Sequence, residues 1–464
     1  MTFNSPQYLV FLPLVIFFYI ALHRREARRD FVLLTASYAF YMAWNWKYAG
    51  LIAASTLLDY RLGLWMDRST RPRSRRALLL VSLVMNLGVL GLFKYFNFFV
   101  EVSSDAVGQD LSAWRHDFLL PVGISFYTFQ TLSYTIDLYR REIQAERSLL
   151  KFAVFVSFFP QLVAGPIVRA ADFLPQLRRT PSVDQEQVLS GLWRIFRGLF
   201  KKVVIADLLA GLGVDAVFAN PQEFSSLELL LGLYGYAFQI YNDFSGYSDI
   251  AIGTAALLGF NINENFKRPY LSQNVREFWT RWHISLSSWL RDYLYISLGG
   301  NRRRQGVNMM LTMLLGGLWH GAALNFVLWG AYHGVLLAFA RGKNKHASAS
   351  TWFGRARSRL VTFHLVLFGW LLFRVTSWAN FSEFIEGLSR LTLVEGGHLA
   401  LKPAFLGILG LGALIHFTPA EWIQTTARRF TALPQPIQAG AYAAMILLLG
   451  GLTIGSPAFI YFQF

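Results

Sequence analysis

The sequence predicts an all-α integral membrane protein. Hydrophobic residues make up 54% of its 464 residues and charged residues only 15%, against about 25% charged in an average soluble domain. Apolar stretches long enough to cross a bilayer recur along the whole chain, with clusters of Arg and Lys between them. A water-soluble fold of this size would need more polar surface. We therefore expect residues 1–464 to form a single polytopic membrane domain.

The apolar stretches predict roughly ten to twelve transmembrane helices, since about 20 residues cross a bilayer. The first stretch runs into Arg24 and Arg25 instead of a small-residue cleavage site, so it is predicted to be a retained span. The positive-inside rule places the basic clusters in the cytoplasm and both termini on the periplasmic side. The stretches are 8–22, 31–66, 77–100, 119–138, 152–168, 203–218, 227–260, 307–340, 360–375, 403–418 and 437–455.

Two of these stretches are predicted to turn back inside the membrane region. Residues 31–66 lie between two basic clusters, so they must leave the cytoplasmic side and return to it, as two short spans or a re-entrant pair. Pro160, Gly165 and Pro166 interrupt the apolar run at 158–166. We expect a broken re-entrant loop there, because neighbouring protein can satisfy the freed backbone groups.

Charge and composition exclude several functions. The formal net charge is +16, which in a chain this apolar indicates loops that face an anionic membrane leaflet rather than a nucleic acid partner. The absence of cysteine excludes disulfides, thiolate metal sites and a cysteine nucleophile. There is no phosphate-binding loop, HExxH zinc pair or nucleophile elbow. No metal and no bound cofactor are predicted.

Polar residues concentrate at 243–249, in a segment that must otherwise span the membrane. Polar groups at this depth are costly and usually face a cavity or one another. The segment fits two interpretations equally well: it lines a substrate tunnel, or it clamps two helices together. Its candidate substrate-binding residues are Asp243, Ser245, Tyr247 and Asp249.

Residues 276–298 are predicted to form one amphipathic helix at the cytoplasmic interface. On a helical wheel, aromatic and aliphatic residues fill one arc, and polar residues that include Arg281 and Asp292 fill the opposite one. His283 falls at the border of the apolar arc, so its ring is expected to point towards protein or lipid. On the wheel alone, a hydrogen-bonded interior histidine is the more common role.

His320 lies between glycines in the apolar run LLGGLWHGA at 314–322. If its helix begins after Arg304, a rise of about 1.5 Å per residue puts His320 roughly 24 Å into the membrane. Desolvation there favours the neutral imidazole, which is the form that a general base needs. The glycines leave room for a ligand or a second helix, and a packing histidine is the alternative. His333, on the return helix, has less support and is not predicted to be catalytic.

Three segments together resemble the membrane-bound O-acyltransferase (MBOAT) family, in its branch of alginate O-acetyltransferase membrane subunits. They are 281–287 (RWHISLS), 289–296 (WLRDYLYI) and 316–321 (GGLWHG). The resemblance runs nearly end to end. It also includes 121–127 (PVGISFY), 164–166 (AGP), 243–249 (DFSGYSD), 265–270 (NFKRPY) and 461–464 (YFQF).

The resemblance implies an acyltransferase in which His320, the second histidine of the family pair, is catalytic, with His283 at the other signature position. It also implies a ring of tilted helices, with re-entrant and interfacial helices, around a central tunnel. A cytoplasmic donor and an acceptor from the opposite side would approach one histidine in that tunnel. Trp319, Arg281 and Asp292 lie in the same motifs and are candidate donor-binding or substrate-binding residues.

In this branch the acyl group is acetyl and the expected donor is acetyl-CoA. The expected partners are a periplasmic SGNH-type acetyltransferase subunit and the exopolysaccharide synthesis machinery, with the protein in the lipid of a bacterial inner membrane. The loop around Pro434 and Pro436 is shorter than in the alginate subunits. The polymer therefore stays open between alginate, cellulose and another exopolysaccharide.

Two other functions fit the residues alone. A transporter would use Asp243, Asp249 and His320 as a midplane site, although the two similar halves that transporters often have are not visible here. A scaffold that only recruits the periplasmic partner is the other. Replacing His320 would separate an enzyme from a scaffold.

Overall fold

The computed structural model describes residues 1–179, 183–340, 351–393 and 401–452, without the side chains of 420, 424 and 445–452. All regular elements in these ranges are helical, which confirms the predicted all-α class for them. The chain divides into two compact units, Met1–Leu192 with Ala251–Asn263, and Trp193–Ile250 with Glu264–Phe464. That all of it forms one domain stays a prediction. The motif at 461–464 lies outside the described residues.

The first unit contains one long helical stretch among shorter helices. A π-helical turn at Gly91–Tyr95 joins α4 to α5, which gives a continuous helical stretch of 36 residues. The helices are α1 Pro6–Leu22, α2 Glu26–Asn45, α3 Ala49–Arg68, α4 Pro72–Leu90, α5 Phe96–Val107, α6 Ile124–Arg140, α7 Leu149–Ser157, α8 Phe159–Leu162, α9 Ala170–Leu177 and α10 Gln185–Leu199, which continues into the second unit.

Residues 31–66, predicted to form two short spans or a re-entrant pair, lie in helices α2 and α3; that this pair leaves and re-enters the cytoplasmic side stays a prediction. Each has 20 residues, and a single 3-10 turn at Trp46–Tyr48 separates them. Helix α3 packs on α4, α6 and α7, while α2 packs on α1 and α7. Helix α6 is buried along nearly its whole length, so it forms the centre of this unit.

The predicted break at 158–166 is confirmed. Helix α7 ends before Phe158, whose backbone has ψ 109°, and only the four-residue α8 follows. At Gly165 the chain folds back so tightly that a Cβ atom would lie 2.5 Å from the Cα of Gln161. That this segment re-enters the membrane stays a prediction.

The second unit begins inside α10 and contains most of the polar residues singled out above. Two π-helical segments, Phe200–Asp207 and Ala210–Val214, continue α10. The other helices are α11 Asp215–Ala219, α12 Ser226–Leu257, whose last turns belong to the first unit, α13 Val275–Arg281, α14 Ile284–Trp289, α15 Gln305–His320, α16 Leu324–Phe339, α17 Trp352–Arg374, α18 Trp378–Ser389, α19 Pro403–Phe417, α20 Ala420–Thr431 and α21 Gln435–Leu452.

Among the described residues, two helical stretches are long and apolar enough to cross a bilayer. They are Pro72–Val107 and Trp352–Arg374, with mean hydropathy 2.0 and 1.3. A third span results if Pro403–Phe417 and Glu421–Thr431, which are bent against each other, count as one. Pro6–Leu22 and Leu324–Phe339 are apolar but shorter. The ten to twelve crossings and their arrangement in a ring remain predictions.

Candidate active site

Helices α15 and α16 form a tight hairpin. Each has 16 residues, and only 321–323 separate them. A Cβ atom on Gly317 would lie 2.2 Å from the Phe326 carbonyl oxygen, and one on Gly330 would lie 2.4 Å from that of Met313. Only glycine permits this approach, because any side chain would strike backbone. The expectation that a glycine beside His320 admits a second helix is therefore confirmed at Gly317.

His320 is the last residue of α15 and lies at the tip of this hairpin. Its side chain is buried, with 5% of its surface exposed. The imidazole is surrounded edge-on by aromatic rings, whose centroids lie 5.1 Å away for Trp319, 5.1 Å for Trp329 and 5.2 Å for Phe373. These rings keep bulk water away from most of the imidazole.

His320 also forms part of the wall of a cavity of about 440 Å³ within the second unit. Gly316 and Leu290 line the cavity, and so do the exposed residues Arg291 and Asn301. Pockets that bind small molecules are typically about 300–1,000 Å³ and mostly apolar, with a few placed polar groups. The cavity therefore has the size of a small-molecule site, and its wall includes both His320 and exposed residues.

The prediction of a single amphipathic helix at 276–298 is wrong. The chain forms α13 and α14, continued by a π-helical turn at Leu290–Tyr295, with a break at Trp282 and His283. His283 has φ 42°, in the left-handed region that interrupts a right-handed helix. A wheel drawn across 276–298 therefore does not describe one face. His283 was expected to point towards protein or lipid rather than water, and the structure places it against protein, because only 1% of the residue is exposed.

Asn265 holds His283 in place. Its side-chain oxygen lies 3.2 Å from His283 Nδ1, and it accepts hydrogen bonds from the Ser285 amide and hydroxyl at 3.1 and 2.9 Å. The His283 ring packs edge-on against Phe244 at 4.6 Å and lies 6.0 Å from the Trp319 ring. His283 is not among the residues that line the cavity. It contacts Trp319, which in turn contacts His320.

The other motif residues lie around this cavity rather than on its wall. Arg281 pairs with Glu277 at 2.8 Å and donates to the Lys267 carbonyl oxygen at 3.1 Å. Asp292 pairs with Arg291 at 2.6 Å. Hydrogen bonding to Asp292 raises the pKa of the Arg291 guanidinium above its ordinary value. Arg291, an exposed residue of the cavity wall, is therefore held as a cation.

Asp249 joins α12 to α10 and to the π-helical segment that continues α10. Its carboxylate pairs with two arginines of α10 and one lysine of the continuing segment, which together bury its charge in an ionic network. The partner distances are 3.2 Å for Arg194, 2.6 Å for Arg197 and 2.7 Å for Lys201. Asp249 is 4% exposed. The contacts are those of a clamp between helices, one of the two interpretations of 243–249.

Asp243 lies six residues before Asp249 on α12 and pairs with the same π-helical segment. Lys202 lies 3.0 Å from Asp243 and 2.7 Å from Asp207, so it bridges two carboxylates. Ser245 and Tyr247, between the two aspartates, are 2% and 3% exposed. Among the described residues, the wall of the cavity next to His320 takes none of its members from 243–249. Their predicted role in substrate binding stays untested.

The cavity-wall residues that sequence analysis missed include Arg276, Arg291 and Trp329. Arg291 lies next to Asp292 in the motif 289–296, so the motif itself contained a signal. Trp329 reaches His320 only because the turn at 321–323 brings α16 back along α15. Over the described residues, no group of three or more His, Cys, Asp or Glu could hold a metal ion.

A buried histidine on the wall of a cavity, in a chain with two helical stretches long and apolar enough to cross a bilayer among its described residues, is the arrangement expected of a membrane enzyme with an enclosed site. Residues 74–379 match the MBOAT, membrane-bound O-acyltransferase family. The chain belongs to this family. It is therefore an acyltransferase and a membrane protein, and the transporter interpretation is not supported.

Similar proteins are O-acetyltransferases and a related acyltransferase. The chain is 39% identical to a "probable alginate O-acetylase" of Pseudomonas aeruginosa, over 100% of its own length and 91% of the relative's. It is 33% identical to a peptidoglycan O-acetyltransferase of Helicobacter pylori, over 89% and 85% of the two chains. A teichoic acid D-alanyltransferase of Bacillus subtilis is 28% identical over 56% of this chain and 69% of its own.

Proposed function

We propose that this protein moves acetyl groups from cytoplasmic acetyl-CoA across the inner membrane for the O-acetylation of an exopolysaccharide, with His320 as the catalytic residue. The observation that carries the proposal is the cavity that joins His320 to the exposed Arg291 and Asn301. It offers a thioester donor access to a buried imidazole. An acceptor would have to reach the same imidazole from the opposite side.

The acetyl group and the polysaccharide acceptor are supported by the relatives. The two that align over most of this chain are named as acetylating enzymes, one for alginate and one for peptidoglycan. Both acceptors are glycan polymers with free hydroxyls. Alginate, cellulose or another exopolysaccharide fits this chemistry. A periplasmic SGNH-type acetyltransferase subunit, as the family resemblance implies, would complete the transfer.

The reaction at His320 is an acyl transfer without net proton change. The neutral imidazole takes the proton of the acceptor hydroxyl as its oxygen attacks the acetyl carbonyl carbon. A carbon–oxygen bond forms, the carbon–sulfur bond of the thioester breaks, and the proton passes from the imidazolium to the departing thiolate. Trp319, Trp329 and Phe373 would limit competing hydrolysis, because they cover the imidazole.

The donor would place its narrow thioester arm in the cavity and its charged nucleotide outside. The wall combines apolar residues such as Leu290 and Met313 with hydroxyls such as Ser288, which suits an arm of methylene and amide groups. Arg276 and Arg291 would pair with the phosphates. We assign His283 a positioning role, since it touches Trp319 and is absent from the cavity wall.

The test is transfer from radiolabelled acetyl-CoA by purified protein, supplied with the periplasmic partner and the polymer. His320→Ala is expected to lose transfer by about 10²–10⁴-fold, the range for a general base. His364→Ala is the matched control, because His364 is exposed and contacts the Tyr234 hydroxyl at 2.8 Å instead of the cavity. Full transfer by a folded His320→Ala protein would refute the proposal.

An acid quench during turnover tests the role of His320 as a base. No label should remain on the wild-type protein, because the acetyl group passes directly from thioester to hydroxyl. Label that is retained by the wild type and lost in His320→Ala would show an acetyl-imidazole instead. That result would keep His320 catalytic and overturn its assignment as a base.

A further inference from the structure

Asp59 is a fully buried carboxyl group in the first unit, whereas His320 belongs to the second. It lies in α3 with 0% of its surface exposed. In the part of the chain that the structure describes, it forms no ion pair, and the side chains that hydrogen-bond to it, Ser82, Asn86 and Thr131, are neutral. A carboxylate buried among neutral groups is costly to ionise, and buried ionisable groups are frequent at functional sites. Nothing in the proposed acyl transfer uses it.

Two helices, α4 and α6, supply the polar groups around Asp59. From α4, the Ser82 hydroxyl donates to Asp59 Oδ1 at 2.6 Å, and the Asn86 amide donates to Oδ2 at 2.9 Å. From α6, Thr135 Oγ1 lies 3.2 Å from Ser82 Oγ. The Thr135 hydroxyl in turn reaches the Leu132 carbonyl oxygen at 3.2 Å. All of these groups are buried.

This chain of hydroxyls can satisfy Asp59 in either protonation state. When the carboxyl is ionised, Ser82 donates to it. When it is protonated, Asp59 donates to Ser82 Oγ, and Ser82 turns to donate to Thr135, which keeps donating to the Leu132 carbonyl oxygen. Only one hydroxyl rotates, and each hydroxyl has a partner in both states. A charge buried among neutral groups is expensive, so a means of removing it is valuable.

Charged groups on the helices packed around α3 have other partners. Arg75 donates to the Leu138 carbonyl oxygen, and Lys151 pairs with Glu26 and lies 3.9 Å from Asp30. The Tyr134 hydroxyl accepts the Glu146 amide proton at 3.1 Å. The titratable or charged groups on these helices include Arg29 and Asp30 of α2, Arg75 of α4, Tyr134 and Asp137 of α6 and Lys151 of α7.

We propose that Asp59 is a proton-binding site, a carboxyl group that takes up and releases a proton inside the first unit with Ser82 as its switching partner. The step is the transfer of one proton from a hydronium ion to a carboxylate oxygen, and its reverse. It needs no other reactant. It is independent of the proposed acetyl transfer, so either can fail without the other.

The experiment is infrared difference spectroscopy of the purified full-length protein in detergent, between acidic and alkaline pH. Protonation of Asp59 should produce a carboxylic acid C=O band that shifts to lower frequency in D₂O. Asp59→Asn should remove this band. Asp67→Asn is the matched control, since Asp67 lies on the same helix but pairs with Arg147 at 2.5 Å, and it should keep the band.

A second pair of variants tests the switching network if Asp59→Asn does not fold. Thr135→Val removes the acceptor that Ser82 needs when Asp59 is protonated. The band should then move to higher frequency, because the acid donates a weaker hydrogen bond. Thr56→Val is its control, since the Thr56 hydroxyl donates to the Ile52 carbonyl oxygen, and it should leave the band in place.

Three results would overturn the proposal. Spectra of the wild type and Asp59→Asn that superimpose at every pH would show that Asp59 keeps one protonation state. A band that is unmoved by Thr135→Val would show that Ser82 and Thr135 do not respond to the proton. A response to sodium at constant pH, without an acid band, would make Asp59 a metal-cation site instead.

Discussion

Leu290 lies directly over Gly316 on the wall of the cavity that reaches His320. A methyl group on Gly316 would come within 3.1 Å of Leu290 Cδ1. The next residue, Gly317, meets the Phe326 carbonyl oxygen of the neighbouring helix, at 2.2 Å from the position of a Cβ atom. Two consecutive glycines therefore have different tasks. Gly316 borders the cavity, and Gly317 permits a close helix contact.

Replacing Gly316 by Val should obstruct the cavity and leave the fold intact. The added methyl groups meet the end of the flexible Leu290 side chain, so the protein can adjust while the ligand loses space. We expect the KM for acetyl-CoA to rise about tenfold, which corresponds to about 1.4 kcal/mol. Steady-state transfer by purified protein measures this, with thermal unfolding as the check on folding.

Gly317→Ala is the matched substitution with the opposite outcome. Its methyl group meets backbone rather than a side chain, so we expect a loss of about 1–3 kcal/mol of stability with an unchanged KM in the folded fraction. A Gly316→Val protein that binds acetyl-CoA as well as the wild type would contradict the position of the cavity.

The ionic clamp predicts unequal effects of its two aspartates. Asp249→Asn leaves Arg194, Arg197 and Lys201 without their shared carboxylate. The expected loss is about 3–5 kcal/mol of stability, as for other broken buried pairs. Asp243→Asn should cost less, because Lys202 keeps Asp207 at 2.7 Å. Chemical denaturation of the purified variants gives the comparison.

Activity per folded molecule distinguishes a clamp from a tunnel lining. If 243–249 only joins helices, the folded fraction of both variants should transfer acetyl groups at the wild-type rate. A variant that is as stable as the wild type but has a raised KM for the acceptor would instead place this segment on the substrate path.

Several features of the fold followed from local sequence. The break at 158–166 and the hairpin within 307–340 were predictable, because Pro and Gly act on the backbone of their own turn. The break at His283 was not. Its left-handed backbone is accompanied by contacts with Asn265, which lies 18 residues earlier, and a helical wheel contains no information about such a partner.

The candidate site was predictable only in part for the same reason. His320 stands out because a polar ring lies between glycines in an apolar run. The cavity wall also needs Trp329 and Arg276, and their approach depends on the turn at 321–323 and on the packing of α13. The partners of Asp249 lie about 50 positions away, so spacing within α12 could not reveal them.

Two substitutions of His283 distinguish a positioning role from a packing role. Asn tolerates the left-handed region better than Ala, so His283→Asn should be more stable than His283→Ala by about 1–2 kcal/mol. Both lose the ring that contacts Trp319. We expect the kcat of both to fall on the order of 10²-fold, the effect of a small misplacement of catalytic groups.

The KM for acetyl-CoA should not change in either His283 variant, because His283 does not line the cavity. Kinetics at saturating donor, together with thermal unfolding, separate the two effects. A wild-type kcat in His283→Asn would show that the ring only fills space.

The donor site can be located by comparing three arginines. Arg276 and Arg291 line the cavity, whereas Arg281 pairs with Glu277 at 2.8 Å beside it. Arg276→Gln with Arg291→Gln should raise the KM for acetyl-CoA about tenfold or more, since each phosphate contact contributes a charge-assisted hydrogen bond. The effect should shrink at high salt, because the contacts are near the surface. A short acetyl thioester without the nucleotide should be used equally well by wild type and variant.

The Arg281→Gln variant tests whether the donor site is located by the sequence motif or by the cavity. If the motif identifies the donor site, this substitution raises the KM for acetyl-CoA as much as the double variant does. If the cavity identifies it, the KM stays at the wild-type value, and stability falls by about 0–1 kcal/mol, as for a partly exposed ion pair. We expect the second outcome, because Arg276 and Arg291 line the cavity and Arg281 does not.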